Sequence, residues 1–369
     1  MLLEKTVKSI ASAVQDTLSS QHHSKDFIFA RSEYLRTRLA TICLIFVVLT
    51  PFWTVFDCFL LPRQALYAVL PARVLMVAGL LLTLWASKKP ASSAKRNLLL
   101  SGMTLALPAL FYAVVLISLS VIIPHSLIGY SFIPFLLIGM LSIFPFTLAE
   151  SFTLGVGLLL LQFFAGFITG SPFGAEALQN LWLLFALLSV VMTSNHFHLS
   201  LLLRLYRQAT HDPLTGLLNR VALERHTEQI EKQVPRPSIA VVLLDLDRFK
   251  LINDTYGHSV GDQVLRVFAG MLKSEARENE MICRYGGEEF LVIIVNISRD
   301  AVLAEAERIR LITEKLELHT LEGVPFTISI SQGVSMLRAD ESIHEAIKRA
   351  DDRLYMAKRK GRNCVVATD

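Results

Sequence analysis

Between Asn97 and Ala149 the chain carries no Asp, Glu, Lys or Arg. A buried soluble core rarely sustains so long a run without charge. A helix needs about 20 apolar residues to cross a bilayer. Six stretches meet that criterion, at roughly 39–61, 68–87, 98–123, 127–147, 152–170 and 181–203. The breaks between them are Pro62-Arg63, Lys88-Lys89-Pro90, Pro124-His125-Ser126, the turn bracketed by Pro145 and Glu150, and Gly170–Gly174. The hydrophobic fraction of 53% and the mean hydropathy of +0.48 exceed those of a typical soluble domain. That excess lies almost entirely between Leu39 and Leu203.

Loop charge sets the expected orientation. With six spans both termini share one side. That side holds Lys25, Arg31, Arg36 and Arg38, then Lys88, Lys89, Lys95 and Arg96, then Arg204 and Arg207. The opposite loops hold only Arg63 and Arg73, so the termini are expected in the cytoplasm. Residues 1–35 are polar, include Lys5 and Lys8, and have no early apolar core. They read as a cytoplasmic segment and not as a cleavable signal peptide. Four regions follow: 1–35 cytoplasmic, 36–203 a six-span sensory or anchoring domain, 204–211 a helical linker, and 212–369 a soluble domain. The junction Arg204–His211 has no Gly or Pro and reads as a continuation of the last span, able to transmit motion.

Asp57 and Arg73 fall near span ends and read as interfacial; the central spans have no charge that would mark a conduit. His196 and His198 do not share a helix face and are not expected to ligate metal or haem. Cys43, Cys58, Cys283 and Cys364 form no CxxC pair, so neither a disulfide framework nor a zinc site is expected. The net charge of +4 is partly juxtamembrane and does not imply nucleic acid.

After Leu203 strands and helices alternate, as in a compact α/β domain. Helices are expected over Leu214–Gln229, Ser259–Arg277, Ala301–Glu314 and Ile343–Arg359. Strands are expected over Ser238–Asp247, Met281–Tyr285, Phe290–Val295 and Phe326–Met336, with a last one near Cys364. One strand ends in Asp245-Leu246-Asp247, and a diglycine hairpin carries Glu288 and Glu289. Carboxylates on a strand end and an adjacent turn suit magnesium, which takes one or two protein oxygens plus substrate phosphates. Glycines at the turn leave room for a nucleotide. Lys358 and Arg362, one helical turn apart, suit a triphosphate. Together these features point to metal-assisted phosphoryl or nucleotidyl transfer.

Arg284-Tyr285-Gly286-Gly287-Glu288-Glu289-Phe290 resembles the signature of the GGDEF family of diguanylate cyclases in its GGEEF form. Four further motifs resemble that family in order. They are Asp212–Arg220, Asp245–His258, Gly261-Asp262, and a closing segment through Ala350-Asp351, Tyr355–Lys358 and Gly361–Asn363. The resemblance runs from roughly Thr210 to the end. It implies an α+β, nucleotidyl-cyclase-like domain with a central, mostly antiparallel sheet; the six apolar stretches ahead of it read as an all-α six-helix transmembrane region.

The resemblance further implies condensation of two GTP into cyclic di-GMP by a two-fold homodimer in a bacterial-type inner membrane. Asp245, Glu288 and the Leu246 carbonyl would hold two Mg2+, with Mn2+ able to substitute. Asn253 and Asp262 would read guanine. Phe249 and Lys250 would line the phosphate cradle, with His258 in the same segment, and Lys358 and Arg362 would hold the β- and γ-phosphates. Glu289 would help deprotonate the attacking hydroxyl. No EAL-type hydrolase region is expected after Asp369.

Two departures stand out. The product-inhibition motif Arg-x-x-Asp reads here as Arg277-Glu278-Asn279-Glu280, with Arg308 as a further arginine, so retention of inhibition is in doubt. Ser331-Gln332-Gly333 replaces a shorter Ser-Ile-Gly run and is expected to alter a strand end. The competing readings are a silent nucleotide receptor and a transport activity of the spans. Retention of every signature and metal residue favours the enzyme.

Overall fold

The computed structural model describes residues 15–88, 94–122, 129–277, 279–320 and 322–367. Lys5, Lys8, Lys89-Pro90, Pro124–Ser126 and Glu278 lie outside those residues. The chain divides into two units, Met1–Arg204 and Leu205–Asp369.

The first unit is helical: α1 (Lys25–Leu60), α2 (Arg63–Lys88), α3 (Ala94–Ile122), α4 (Ile133–Leu141), α5 (Leu148–Ile168) and α6 (Ala175–Thr210). Ser24 caps α1 by accepting from the Phe27 N–H, and Thr147 with Glu150 forms a capping box at α5. All but α4 are long and apolar enough to cross a membrane. The fourth expected span, 127–147, is not one long helix. Its first two residues lie outside the description, and α4 itself has nine residues. Pro134 sits in its first turn, and Ser142 closes it by donating to the Gly139 and Met140 carbonyls. Pro145 then disfavours helical backbone at Phe144.

Large apolar side chains such as Phe52, Phe59, Leu75, Trp85, Trp182 and Phe185 face outward, while Thr50, Asn97, Ser101, Thr104, Gln162 and Asn195 are buried. This inverts the soluble pattern, as expected where the outside is as apolar as the inside. Asp57 and Arg73, expected near span ends, are both buried in the helical unit and paired at 2.5 Å. The Tyr130 hydroxyl donates to Asp57 and accepts from Arg73 at 2.8 Å, and the Arg73 guanidinium lies over the Phe111 ring. Burial of an ion costs several kcal/mol unless it is paired, and the pairing accounts for both positions. A second polar cluster joins Arg31 to Glu150 and to the Pro145 carbonyl, and Asn195 to the Leu141 carbonyl and Ser151. His196 meets the Thr17 hydroxyl at 2.8 Å.

The second unit contains β1 (Leu218–Asn219), α7 (Arg220–Glu231), β2 (Ile239–Leu246), α8 (Phe249–Tyr256), α9 (His258–Glu275), β3 (Glu280–Arg284), β4 (Glu289–Val295), α10 (Arg299–Glu314), β5 (Glu317–His319), β6 (Pro325–Thr327), β7 (Ile330–Met336), α11 (Ile343–Arg359) and β8 (Val365–Val366). The main sheet has the order β1-β3-β4-β2-β7-β8 and is mixed. The four long strands pair antiparallel and the two-residue edge strands pair parallel. β2 is buried along its whole length, which is why its sequence is an unbroken apolar run until the acids. One face packs residues of α9 and α10, such as Phe268 and Ile309, and the other packs α7 and α11 through Leu223 and Leu354.

Three local readings change. The helix expected from Leu214 begins at Arg220, because Asp212 and Thr215 close a turn first and Asn219 caps the helix. Phe326–Met336 divides into β6 and β7. α8, between the acids and Gly257, is a helix of eight residues that was not among the expected elements.

Candidate active site

The chemistry-bearing residues meet where β2 ends against the β3–β4 hairpin. Asp245 pairs directly with Glu289 on β4 and with Ser331 on β7. The Leu246 N–H donates to the Glu288 carbonyl at 3.3 Å, so two stretches more than forty positions apart in the sequence meet at one end of these strands. The hairpin closes through Tyr285 and Gly286 N–H groups donating to the Glu289 carbonyl at 2.8 and 3.1 Å. A Cβ on Gly286 would lie 2.5 Å from Glu289 Oε2, so glycine leaves that carboxylate its place.

The hairpin tip is held from below. Arg284 donates to the Gly287 carbonyl from Nε and Nη2 at 3.2 and 2.7 Å. Its Nη1 sits 3.0 and 3.1 Å from the two Asp212 oxygens. Asp212 also accepts from the Thr215 N–H and hydroxyl. Burial alone would raise the Asp212 pKa, but the Thr215 hydrogen bonds and the guanidinium outweigh it and hold the carboxyl below the usual range. This clamp was missed by sequence reasoning. Both partners stood in the quoted motifs, yet nothing local linked positions so far apart.

Asp245 is 3% exposed and lies 2.7 Å from the Lys358 ammonium. Burial raises its pKa, Lys358 opposes the rise and neighbouring Asp247 adds to it. Burial followed by the Asp245 charge raises Glu288 and Glu289 as well. Three carboxyls so placed favour a nearby cation, and Lys358 already supplies one. Their hard oxygen donors, with the Leu246 carbonyl, fit magnesium. Among the described residues no group of three or more acidic, His or Cys side chains forms a ready-made metal cage.

Asn253 lies against Gly261: a Cβ there would fall 1.9 Å from Asn253 Oδ1 and 3.3 Å from the Phe249 ring. Asp262 follows on α9, half-exposed, with its carboxylate 3.8 Å from Arg266. Phe249 is buried, while Lys250 and His258 are exposed on the first turns of α8 and α9. Lys358 and Arg362 do not share a helical turn, which corrects the expectation. α11 ends at Arg359, and Arg362 follows in left-handed backbone with φ of 69°.

Arg277, Glu280 and Arg308 form a separate cluster. Arg277 and Arg308 both bind buried Glu305, Arg308 also binds Glu275, and Glu280 accepts from the Arg277 N–H. Gln332 sits inside β7, not at a strand end, and donates to the Ala306 carbonyl of α10 at 2.8 Å.

Residues 209–364 match the family profile described as diguanylate cyclase, GGDEF domain. The diguanylate cyclase DgcM of Escherichia coli K12 is 44% identical over 167 residues, covering 44% of this chain and 40% of DgcM. The response regulator PleD of Caulobacter vibrioides is 43% identical over 173 residues, covering 43% of this chain and 36% of PleD. The chain thus spans less than half the length of either relative. The crystal structure of the GGDEF domain of DgcB from Caulobacter crescentus in complex with c-di-GMP is 36% identical, covers 43% of this chain and 93% of that one, and has a TM-score of 0.42. Residues 209–364 of this chain are a GGDEF domain, with curated diguanylate cyclases among its relatives.

Proposed function

We propose that this chain is a membrane-embedded diguanylate cyclase that condenses two GTP into cyclic di-GMP and two pyrophosphates. The observation that carries the reading is the pairing of Asp245 with Glu289 at one end of the two central strands, beside the Glu288 backbone and the Lys358 ammonium.

Asp245, Glu288 and the Leu246 carbonyl would hold the magnesium ions, which would neutralise triphosphate charge and acidify a hydroxyl. Asn253 and Asp262 read the guanine edge. Backbone N–H groups at Phe249 and Lys250 receive phosphate oxygens at the α8 N-terminus. Lys358 moves from Asp245 to the β- and γ-phosphates, which Arg362 also holds. Glu289 takes the proton from the 3′-hydroxyl. That oxygen bonds to the α-phosphorus of the GTP on the facing domain, and the bond to the β-phosphate bridging oxygen breaks to release pyrophosphate. The reciprocal attack closes the ring. One domain presents one GTP, so a two-fold homodimer is required, and catalysis is mainly positioning and charge neutralisation.

The helical unit anchors this domain with both termini cytoplasmic. Six crossings are supported by polar contacts near the two ends of segment 130–146. Tyr130 meets Asp57 and Arg73 near one end, and Pro145 meets Arg31 near the other. Arg277 and Arg308 already bind Glu305, which competes with any anion for them and weakens product inhibition.

The test is the purified full chain in detergent with GTP and magnesium, with and without added cyclic di-GMP, and product resolved by chromatography. Cyclic di-GMP is expected. Folded, dimeric protein that makes none would favour a silent nucleotide receptor.

A further inference from the structure

A second cavity lies on the other side of α8 from Asn253. It encloses about 360 Å³ and is lined by Arg248, Leu251, Ile252, Tyr256, Phe326 and Arg362, among others. Small-ligand sites run from about 300 to 1,000 Å³. The helical spacing of 248, 251, 252 and 255 gives the cavity one face of α8, whereas Asn253 faces α9 through Gly261.

The lining has two chemistries. Tyr256 and Phe326 stack with centroids 5.2 Å apart, and with Leu251 and Ile252 they supply an apolar wall. Arg248 and Arg362 are exposed, and neither guanidinium has a hydrogen bond or ion pair among the described residues. The one carboxylate in the lining, Asp247, is already engaged. It accepts from Ser329 and Ser331 hydroxyls at 2.7 and 2.6 Å and from the Asn363 N–H at 3.0 Å. Asp247 therefore has little capacity left for either arginine.

The backbone is also specialised here. Arg248, Arg362 and Asn363 have φ of 56°, 69° and 47°, and they are three of the four non-glycine residues with positive φ among the described residues. Such backbone is strained for a residue with a side chain and persists only where its surroundings impose it. Asn363 is fixed by Arg310 and Glu314, and Arg362 by its N–H donating to the Ala357 carbonyl. The arginines are thus presented by a braced frame.

We propose that this cavity binds a mononucleotide, its phosphate between Arg248 and Arg362 and its base against the Tyr256–Phe326 wall. Guanidinium groups suit phosphate oxygens geometrically as well as by charge, and an aromatic face accepts any base. Arg362 is the residue shared with the proposed triphosphate cradle, so occupancy opposes substrate binding. The site itself does not depend on the cyclase reading.

The experiment is calorimetric titration of the full chain in detergent, without magnesium, using adenosine monophosphate, inorganic phosphate and adenosine. Adenine avoids the guanine-reading pair. Adenosine monophosphate should bind saturably and more tightly than either half. Arg248→Asn, which tolerates left-handed backbone, and Tyr256→Ala should each weaken it by about tenfold or more. Asn253→Ala should leave it unchanged. Absence of saturable binding, or indifference to Arg248→Asn, overturns the proposal. Loss on Asn253→Ala would assign the ligand to the substrate site. Phosphate binding as tightly as the nucleotide, with no effect of Tyr256→Ala, would remove the base from the proposal.

Discussion

Asp212→Asn keeps the shape of the clamp and removes its charge. In the structure Oδ1 takes the Thr215 N–H at 2.8 Å and hydroxyl at 2.7 Å, while Arg284 Nη1 lies about equally far from both oxygens. If the asparagine oxygen stays with Thr215, its NH2 group faces a guanidinium, donor against donor. A hydrogen bond to a charged group contributes about 1.5–3 kcal/mol and a neutral one about 0.5–1.5 kcal/mol, so neutralising the two Thr215 contacts alone should cost about 2–3 kcal/mol. Both side chains are more than four-fifths buried, so screening by water removes little of this. For a unit of this size that is a fall in Tm of about 5–10 °C, read by thermal unfolding of the detergent-solubilised chain. The pH dependence follows from the depressed carboxyl. Its stabilisation is fully present above the unfolded pKa of about 3.9 and is lost as pH falls through the lower folded value. Wild type and variant should therefore differ fully at pH 7 and begin to converge only as pH falls below about 4. Turnover should fall as well, because Arg284 would no longer hold Gly287. Equal Tm values at pH 7, or a gap that does not change with pH, would refute the clamp.

Glu289→Ala should abolish cyclic di-GMP formation in the chromatographic assay while Tm stays within about 1 °C, since a hairpin-edge carboxylate contributes little to packing. Gly333→Ala should unfold or severely destabilise the second unit: its Cβ would lie 1.9 Å from the Ala350 carbonyl and 2.5 Å from the Leu354 nitrogen, both backbone atoms of α11. Overpacking commonly costs about 1–3 kcal/mol and more against rigid backbone, so soluble expression and Tm both report it. Arg73→Ala should destabilise the helical unit by about 3–5 kcal/mol by leaving Asp57 buried without its partner, and Arg73→Ala with Asp57→Ala should recover part of the loss in the same thermal measurement.

Much of this protein was legible before any coordinates. The uncharged run from Asn97 to Ala149 and the apolar strand ending at Asp245 are local patterns, and hydropathy along a chain needs no partner to be read. The five motifs likewise sit at short spacings, so the residues that gather at the end of β2 were named in advance. What needed the tertiary structure was every pairing across a long separation. Asp57 and Arg73 read as interfacial residues near span ends, and their pairing with each other and with Tyr130 is a tertiary contact. Asp212 and Arg284 each belonged to a motif, yet their joint grip on the hairpin tip exists only once β1 lies parallel to β3. The nine residues of α4, the mixed sheet and the arginine-rimmed cavity behind α8 are of the same kind. Local periodicity is set by the few residues of one turn or pleat. Which distant charges meet, and which remain free, is settled only when the whole chain finds the packing that leaves fewest buried groups unpaired.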